Sequence, residues 1–168
     1  MKYLLPLIWL IIHLTLNSRQ LGYTLHSPLY THLTYAFAHA GLFHLIINTV
    51  SYISLYNALK GGKIICSSLI ISFASAAAAS FLSAYQLPTV GASGLIFAML
   101  GCHTATVALN RKQWKQYSII LLLTLIVPFF IPRVNALLHL LSFTSAALIT
   151  TIKSKIKNPL KPQSPNSP

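Results

Sequence analysis

The stretch IICSSLIISFASAAAASFLSAY, at residues 64–85, decides the class of fold. It contains no charged side chain and is long enough for the ~20 residues that a membrane-spanning helix requires. Five further apolar stretches, some of them shorter, lie on either side of it at residues 3–16, 35–59, 94–109, 117–131 and 135–152. We therefore predict an all-α, polytopic membrane protein whose six transmembrane helices form a bundle.

The composition of the whole chain also favours a membrane location. Of the 168 residues, 55% are hydrophobic and only 7% are charged, whereas a soluble domain carries about 25% charged residues. The net charge of +12 would suit nucleic acid, but the cations lie in short clusters between the apolar stretches. This placement is typical of membrane topology, so we expect the lipid bilayer, and not nucleic acid, as a partner.

The distribution of Lys and Arg predicts how the bundle is oriented. Cytoplasmic loops of membrane proteins are enriched in these residues. With both termini in the cytoplasm, only Arg19 and Arg133 fall on the outer side. The other ten cations then lie inside, namely Lys2, Lys60, Lys63, Arg111, Lys112, Lys115, Lys153, Lys155, Lys157 and Lys161. We predict a membrane domain over residues 1–153 and a proline-rich, disordered cytoplasmic tail over residues 154–168.

The chain contains no Asp and no Glu, and this absence restricts its chemistry. Aspartic proteases, two-carboxylate glycosidases, HExxH metalloproteases and Ser-His-Asp triads all require a carboxylate. Any catalysis must therefore come from Ser, His, Cys, Lys, Tyr, Asn or the backbone.

The segment Gly91-Ala92-Ser93-Gly94 stands where an outer loop enters the fourth apolar stretch. Gly91 and Gly94 allow a tight turn and the close approach of another backbone. Ser93 would lie at the N-terminus of a helix, where free N–H groups and the helix dipole favour a developing oxyanion. The alternative interpretation is purely structural, because small residues also mark the packing of membrane helices.

Histidines in two other stretches complete a set of residues suited to serine chemistry. His139 lies near the start of the sixth stretch, where a neutral imidazole could act as the base for a hydroxyl group. His44 and Asn48, four residues apart in the second stretch, share one helix face and can both donate hydrogen bonds. His39 lies closer to the outer surface, and we expect it to line, together with Ser93, a cavity that admits water.

These segments are expected at a similar depth in the membrane. Ser93, His139 and His44 lie 14 to 18 residues from the nearest cation on the inner side. At about 1.5 Å per residue, these separations correspond to roughly 21 to 27 Å in a hydrocarbon core of about 30 Å. The three side chains therefore lie within about one helical turn of one another in depth, somewhat below the outer boundary.

In order along the chain, the three segments resemble the signatures of rhomboid proteases. The matching sequences are HAGLFHLIIN at residues 39–48, GASGLIFAMLG at residues 91–101 and His139-Leu140 in the last span. The resemblance extends over residues 35–147, which is nearly the whole membrane portion. It implies a six-helix rhomboid-like fold and, for such a short chain, a location in a bacterial inner membrane.

The resemblance also implies an activity. The protein would be an intramembrane serine endopeptidase that cleaves transmembrane segments of single-span or other membrane proteins near the outer face, without a metal or cofactor. Ser93 would be the nucleophile and His139 the general base. His44, Asn48 and the backbone N–H of Ser93 would form the oxyanion hole. Phe97 corresponds to an aromatic residue that packs on the catalytic imidazole.

The chain departs from the family pattern after His139, where glycines usually let the last span approach the fourth. Leu141, Ser142 and Ala146 stand there, and Ser142 and Ala146 still form a small-xxx-small pair. The alternative function is therefore a non-catalytic rhomboid-like protein that binds membrane helices. A small transporter or a metal site among the seven histidines has less support, because acidic residues for ion coupling or metal binding are absent.

Overall fold

A computed structural model describes residues 2–24, 26–59, 63–82, 87–107 and 111–157. Within these ranges the structure is built from helices, and the one pairing of extended segments is an antiparallel bridge between Tyr23 and Thr89. The α-helices are α1 (Leu4–Thr15), α2 (Ser18–Leu21), α3 (Thr31–Thr34), α4 (Leu42–Ala58), α5 (Lys63–Leu82), α6 (Ser93–Thr106), α7 (Arg111–Ile126) and α8 (Ala136–Lys157). The prediction of an all-α fold is confirmed.

Several of the described helices are suited to a membrane. Three segments are long and apolar enough to cross it, namely Ile64–Leu82, Arg111–Phe130 and Ala136–Ile156. A fourth results if Thr31–Phe37 and α4, whose axes differ by 87°, are counted as one broken span. These helices support a multi-pass membrane protein. The helix α1 is apolar but shorter than these segments. The described helices therefore do not establish six spans, and that number stays a prediction.

The second apolar stretch, predicted as one span over residues 35–59, is not a continuous helix. Tyr35–Phe37 forms a 3₁₀ turn, residues 38–41 interrupt the helix, and α4 begins only at Leu42. Gly41 caps α4 with an extended backbone, and the two helical parts meet nearly at a right angle. The break brings the 3₁₀ turn over the loop that precedes α6, because the Gly91 N–H donates to the Tyr35 carbonyl at 2.8 Å.

The end of the membrane domain also differs from the prediction. The helix α8 continues to Lys157, so residues 154–157 are helical and do not belong to a disordered tail. The rest of the predicted tail, residues 158–168, lies outside the described residues, as do Lys60 and the ends of the third and fourth predicted spans. A membrane helix can continue past its first lysine, because the long Lys side chain can reach water from the last turns of the helix.

The helix α6 lies at the centre of the bundle and contacts α4, α5 and α8. Its buried residues are Gly94, Leu95, Ile96, Ala98, Met99, Gly101 and Cys102. At about 1.5 Å per residue its 14 residues rise about 21 Å, which is less than the hydrocarbon core of ~30 Å. Because protein rather than lipid surrounds much of α6, its length need not match the thickness of the bilayer.

The helices α6 and α8 pack closely in spite of the missing glycines after His139. A Cβ atom on Gly101 would overlap the carbonyl oxygen of Phe143 and lie 3.1 Å from the Cβ of Ala146. Leu141 does not separate the two helices, because it packs against a cluster that includes Ala76 of α5. Ser142 is fully buried. The side chain of Leu141 therefore does not prevent the close packing of α6 and α8.

We expect the substitution Gly101→Ala to lower the free energy of unfolding by about 3 kcal/mol, because the added methyl group meets backbone atoms of α8 that have no room to move. The matched control is Gly41→Ala, where a Cβ would meet nothing within 4 Å and the φ of −179° suits any residue. We expect the control to change stability by less than about 1 kcal/mol. Unfolding in SDS-containing micelles would measure both. Equal stabilities of the two variants would contradict the close packing of α6 and α8.

Candidate active site

The site is organised around the first residue of α6. The loop before α6 turns at Gly91, whose φ of +119° lies in a region that L side chains rarely adopt. A Cβ on Gly91 would lie 2.5 Å from Cε1 of His44 and 3.2 Å from Nδ2 of Asn48. Gly91 is therefore needed both for the turn and for the close approach of α4. Ser93 follows as the first helical residue, with Ala92 as the N-cap.

The second glycine of the segment sets the distance between α6 and α5. A Cβ on Gly94 would lie 2.6 Å from Oγ of Ser72 and 2.7 Å from the hydroxyl of Tyr35. These two hydroxyl groups are hydrogen-bonded at 2.5 Å. Because Gly94 lacks a side chain, the buried Tyr35–Ser72 pair can lie directly beside the start of α6 and support the position of Ser93.

The hydroxyl of Ser93 is hydrogen-bonded to the ring of His139. Oγ of Ser93 and Nε2 of His139 are 2.8 Å apart, although the residues belong to different helices. The His139 ring also stacks on Phe97, with ring centroids 4.1 Å apart and planes inclined by 7°. His139 is only 7% exposed, and among the described residues its Nδ1 has no hydrogen-bond partner. No third side chain among the described residues is hydrogen-bonded to the His139 ring, and the chain contains no Asp or Glu that could be.

Asn135 fixes the start of α8, one helical turn before His139. Its Oδ1 accepts a hydrogen bond from the Leu138 N–H, as an N-cap residue does. Its Nδ2 donates to the hydroxyl of Tyr23 and to Oγ1 of Thr89, both at 3.1 Å. These bonds tie the start of α8 to the segments that contain Tyr23 and Thr89 and so fix the position of His139. The sequence analysis did not single out Asn135, although an Asn directly before an apolar helix is a signal for a cap.

His44 and Asn48 of α4 face the same place as Ser93. Both line the cavity that contains Ser93 and His139. Asn48 is 5% exposed, and its Nδ2 is a buried donor without a hydrogen-bond partner in the described part of the chain. Such a donor usually has a partner in a folded protein, because leaving it unpaired costs about 1–3 kcal/mol. Its position next to Ser93 suits an acceptor that arrives with a ligand.

A cavity of about 850 Å³ joins these side chains. It is lined by Ala40, His44, Asn48, Leu87, Pro88, Thr89, Val90, Ser93, Phe97, Arg133, Val134, Asn135 and His139. The lining comes from α4, α6, α8 and the segments that precede each of these helices. The cavity therefore brings together the predicted nucleophile Ser93, the predicted base His139, the predicted oxyanion-hole residues His44 and Asn48, and Phe97. It also includes loop residues that the sequence analysis did not identify.

The expectation that His39 lines this cavity is wrong. His39 is fully buried and is not among the lining residues. Its ring lies between Trp9 and His44, with centroid distances of 5.5 Å and 5.3 Å. Among the described residues, neither ring nitrogen of His39 has a hydrogen-bond partner. His39 therefore supports the position of His44 from behind and does not contact the space in front of Ser93.

The arrangement brings a serine hydroxyl group, an imidazole and an amide donor together in one cavity of a helical membrane protein. Among the described residues, no three His or Cys side chains are grouped to hold a metal ion. Residues 26–156 match the family model of the Rhomboid domain. A comparison with curated proteins finds no match.

The fold and the match place the chain among polytopic helical membrane proteins of known architecture. The chain belongs to the rhomboid family, which confirms the resemblance of the three segments. Members of this family are typically intramembrane serine proteases, and non-catalytic members also exist. The family acts on transmembrane substrates within the bilayer.

Proposed function

We propose that this protein is an intramembrane serine endopeptidase in which Ser93 is the nucleophile and His139 the general base. The observation that supports it best is the 2.8 Å contact between Oγ of Ser93 and Nε2 of His139. This contact occurs between helices α6 and α8 and inside a cavity large enough for a peptide segment. Its substrates are transmembrane segments of single-span or other membrane proteins, cleaved near the outer face.

The acylation step uses the hydrogen bond that already exists in the resting site. His139 Nε2 takes the hydroxyl proton as Ser93 Oγ bonds to the scissile carbonyl carbon, so the carbonyl oxygen becomes an oxyanion. The same proton then passes to the leaving amine as the C–N bond breaks. Stacking on Phe97 keeps the ring in one plane during both transfers. Water subsequently attacks the acyl-enzyme with His139 again as the base, which releases the acid product and restores Ser93.

The oxyanion is stabilised by donors that already lie in the cavity. Nδ2 of Asn48 is unpaired in the resting site and needs no rearrangement to accept this role. The backbone N–H of Ser93 belongs to the first turn of α6, where N–H groups lack partners within the helix. The ring of His44 lies on the same side of Gly91 as Asn48 and supplies a further N–H. Preorganised donors of this kind are often the largest contribution to catalysis.

The topology that accompanies this function is also a proposal. We infer that the protein is a multi-pass protein of a bacterial inner membrane, with a membrane domain at residues 1–153 that crosses the bilayer six times. Both termini would lie in the cytoplasm, because ten of the twelve cations then face inside. In this orientation the cavity opens toward the outer face, where Leu87 and Pro88 form part of its rim.

Labelling with a fluorophosphonate probe would test the dyad without any knowledge of the substrate. We expect the detergent-solubilised protein to be labelled at Ser93, since the probe reacts with an activated serine. His139→Ala should reduce the labelling rate by about 10²-fold or more, because the base would be lost. The matched control His26→Ala changes an exposed histidine remote from the cavity and should be labelled like the parent. Equal labelling of parent and His139→Ala would contradict the role of His139.

A further inference from the structure

The cavity contains one side chain with a permanent charge that the proposed mechanism does not use. Among the described residues that line the cavity, only Arg133 is a Lys or Arg. It lies in the segment between α7 and α8, and its side chain is exposed. Since the chain contains no Asp or Glu, no carboxylate side chain of this protein can neutralise the guanidinium. A carboxylate side chain that pairs with Arg133 must therefore come from another molecule.

The position of Arg133 runs against the distribution of charge in the rest of the chain. In the proposed topology ten cations lie on the cytoplasmic side, whereas Arg133 follows α7 on the outer side. Outer loops are generally poor in Lys and Arg, because these residues oppose the preferred orientation. Arg133 is therefore an exception to the charge distribution, as Arg19 is, and it lines the cavity that contains Ser93 and His139.

None of the residues that line the cavity with Arg133 carries a negative charge that could pair with its guanidinium. Val134, Leu87 and Pro88 are apolar, and the Nδ2 of Asn135 is already bound to Tyr23 and Thr89. A guanidinium binds a carboxylate through two parallel hydrogen bonds, and this pairing is more specific than a contact between simple point charges.

We propose that Arg133 forms a subsite for an acidic side chain of the substrate, so that the protein prefers transmembrane substrates with Asp or Glu close to the scissile bond. This inference rests on the proposed function, and it assigns the chemistry that distinguishes one substrate from another. An Asp or Glu can also lie at the outer end of a substrate helix. The preference for the cytoplasmic side applies to Lys and Arg, and acidic residues contribute little to it.

The distances along the chain allow this contact. Arg133 precedes Ala136, the first residue of α8, by three residues, so their Cα atoms are at most about 11 Å apart. His139 is in the first turns of the same helix. An extended substrate advances about 3.3 Å per residue, and the guanidinium can therefore reach residues that lie a few positions from the bond that Ser93 attacks.

Paired substrates would test the proposal with the full chain in proteoliposomes. Each pair of single-span substrates carries Asp or Asn at one position, which is moved stepwise through the residues on both sides of the scissile bond. We expect the parent to cleave the Asp member about fivefold faster, measured as kcat/KM, at the best position. Arg133→Gln should bring this ratio to about one, and Arg133→Glu should instead favour a substrate with Lys. Arg111→Gln removes an exposed cation from the first residue of α7 and should keep the parental ratio.

The outcomes separate this proposal from the proposed function. If the parent cleaves Asp and Asn substrates equally at every position, the acidic subsite is wrong while the protease activity stands. If the parent cleaves no member of the panel, both proposals fall. If Arg133→Gln slows both members of a pair equally, and only in vesicles with anionic phospholipid, the guanidinium binds lipid phosphate and the acidic subsite is overturned.

Discussion

Ser93→Ala is expected to reduce the cleavage of a single-span substrate by about 10⁴-fold or more. The substitution removes the hydroxyl group that is hydrogen-bonded to His139, and no other hydroxyl group of the described residues forms a hydrogen bond with that ring. No carboxylate side chain is present to activate water in its place. Initial rates of product formation in proteoliposomes, followed on gels with an epitope-tagged substrate, would measure the loss.

The loss should be confined to catalysis. Ser93 is half-buried and forms no part of the buried clusters that join α6 to its neighbours, so Ser93→Ala should fold and bind substrate like the parent. The matched control is Ser154→Ala, which removes an exposed hydroxyl group near the end of α8 and should leave the rate unchanged. Cleavage at the parental rate by Ser93→Ala would eliminate the dyad as the source of activity.

The class of fold could be predicted because it depends on local composition. An uncharged stretch such as residues 64–85 has few alternatives to a membrane helix, and α5 indeed covers most of it. The break at residues 38–41 could not be predicted in this way, since these residues include neither a charged side chain nor a proline. It depends on a tertiary contact, namely the bond from the Gly91 N–H to the Tyr35 carbonyl.

The candidate site shows the same division between local and tertiary information. Residue type, order and depth suggested Ser93 and His139, but spacing along the chain does not show which way two side chains point from separate helices. His39 illustrates this limit, because its ring turns toward Trp9 and away from the cavity. Leu141 is the opposite case. Its size argues against close packing of α6 and α8, but its side chain packs against the cluster that includes Ala76 of α5 and does not separate the two helices.

Asn48→Leu is expected to lower kcat by about 10² to 10³-fold while KM changes little, because an oxyanion-hole donor acts mainly on the transition state. The Nδ2 of Asn48 is buried, lines the cavity and has no partner among the described residues of the resting site. Asn57→Leu is the matched control. It makes the same change on the exposed surface near the end of α4 and should retain the parental kcat.

The effect of Asn48→Leu on stability distinguishes catalysis from a structural role. A polar side chain that serves packing forms hydrogen bonds, and its removal lowers the free energy of unfolding. Nδ2 of Asn48 is instead an unpaired buried donor, so its replacement by an apolar group of similar size should leave stability unchanged or raise it by about 1 kcal/mol. A variant that is at least as stable as the parent and much slower would show that stability is sacrificed for a preorganised donor. A variant that is both slow and markedly unstable would contradict the oxyanion-hole assignment and make Asn48 a structural residue.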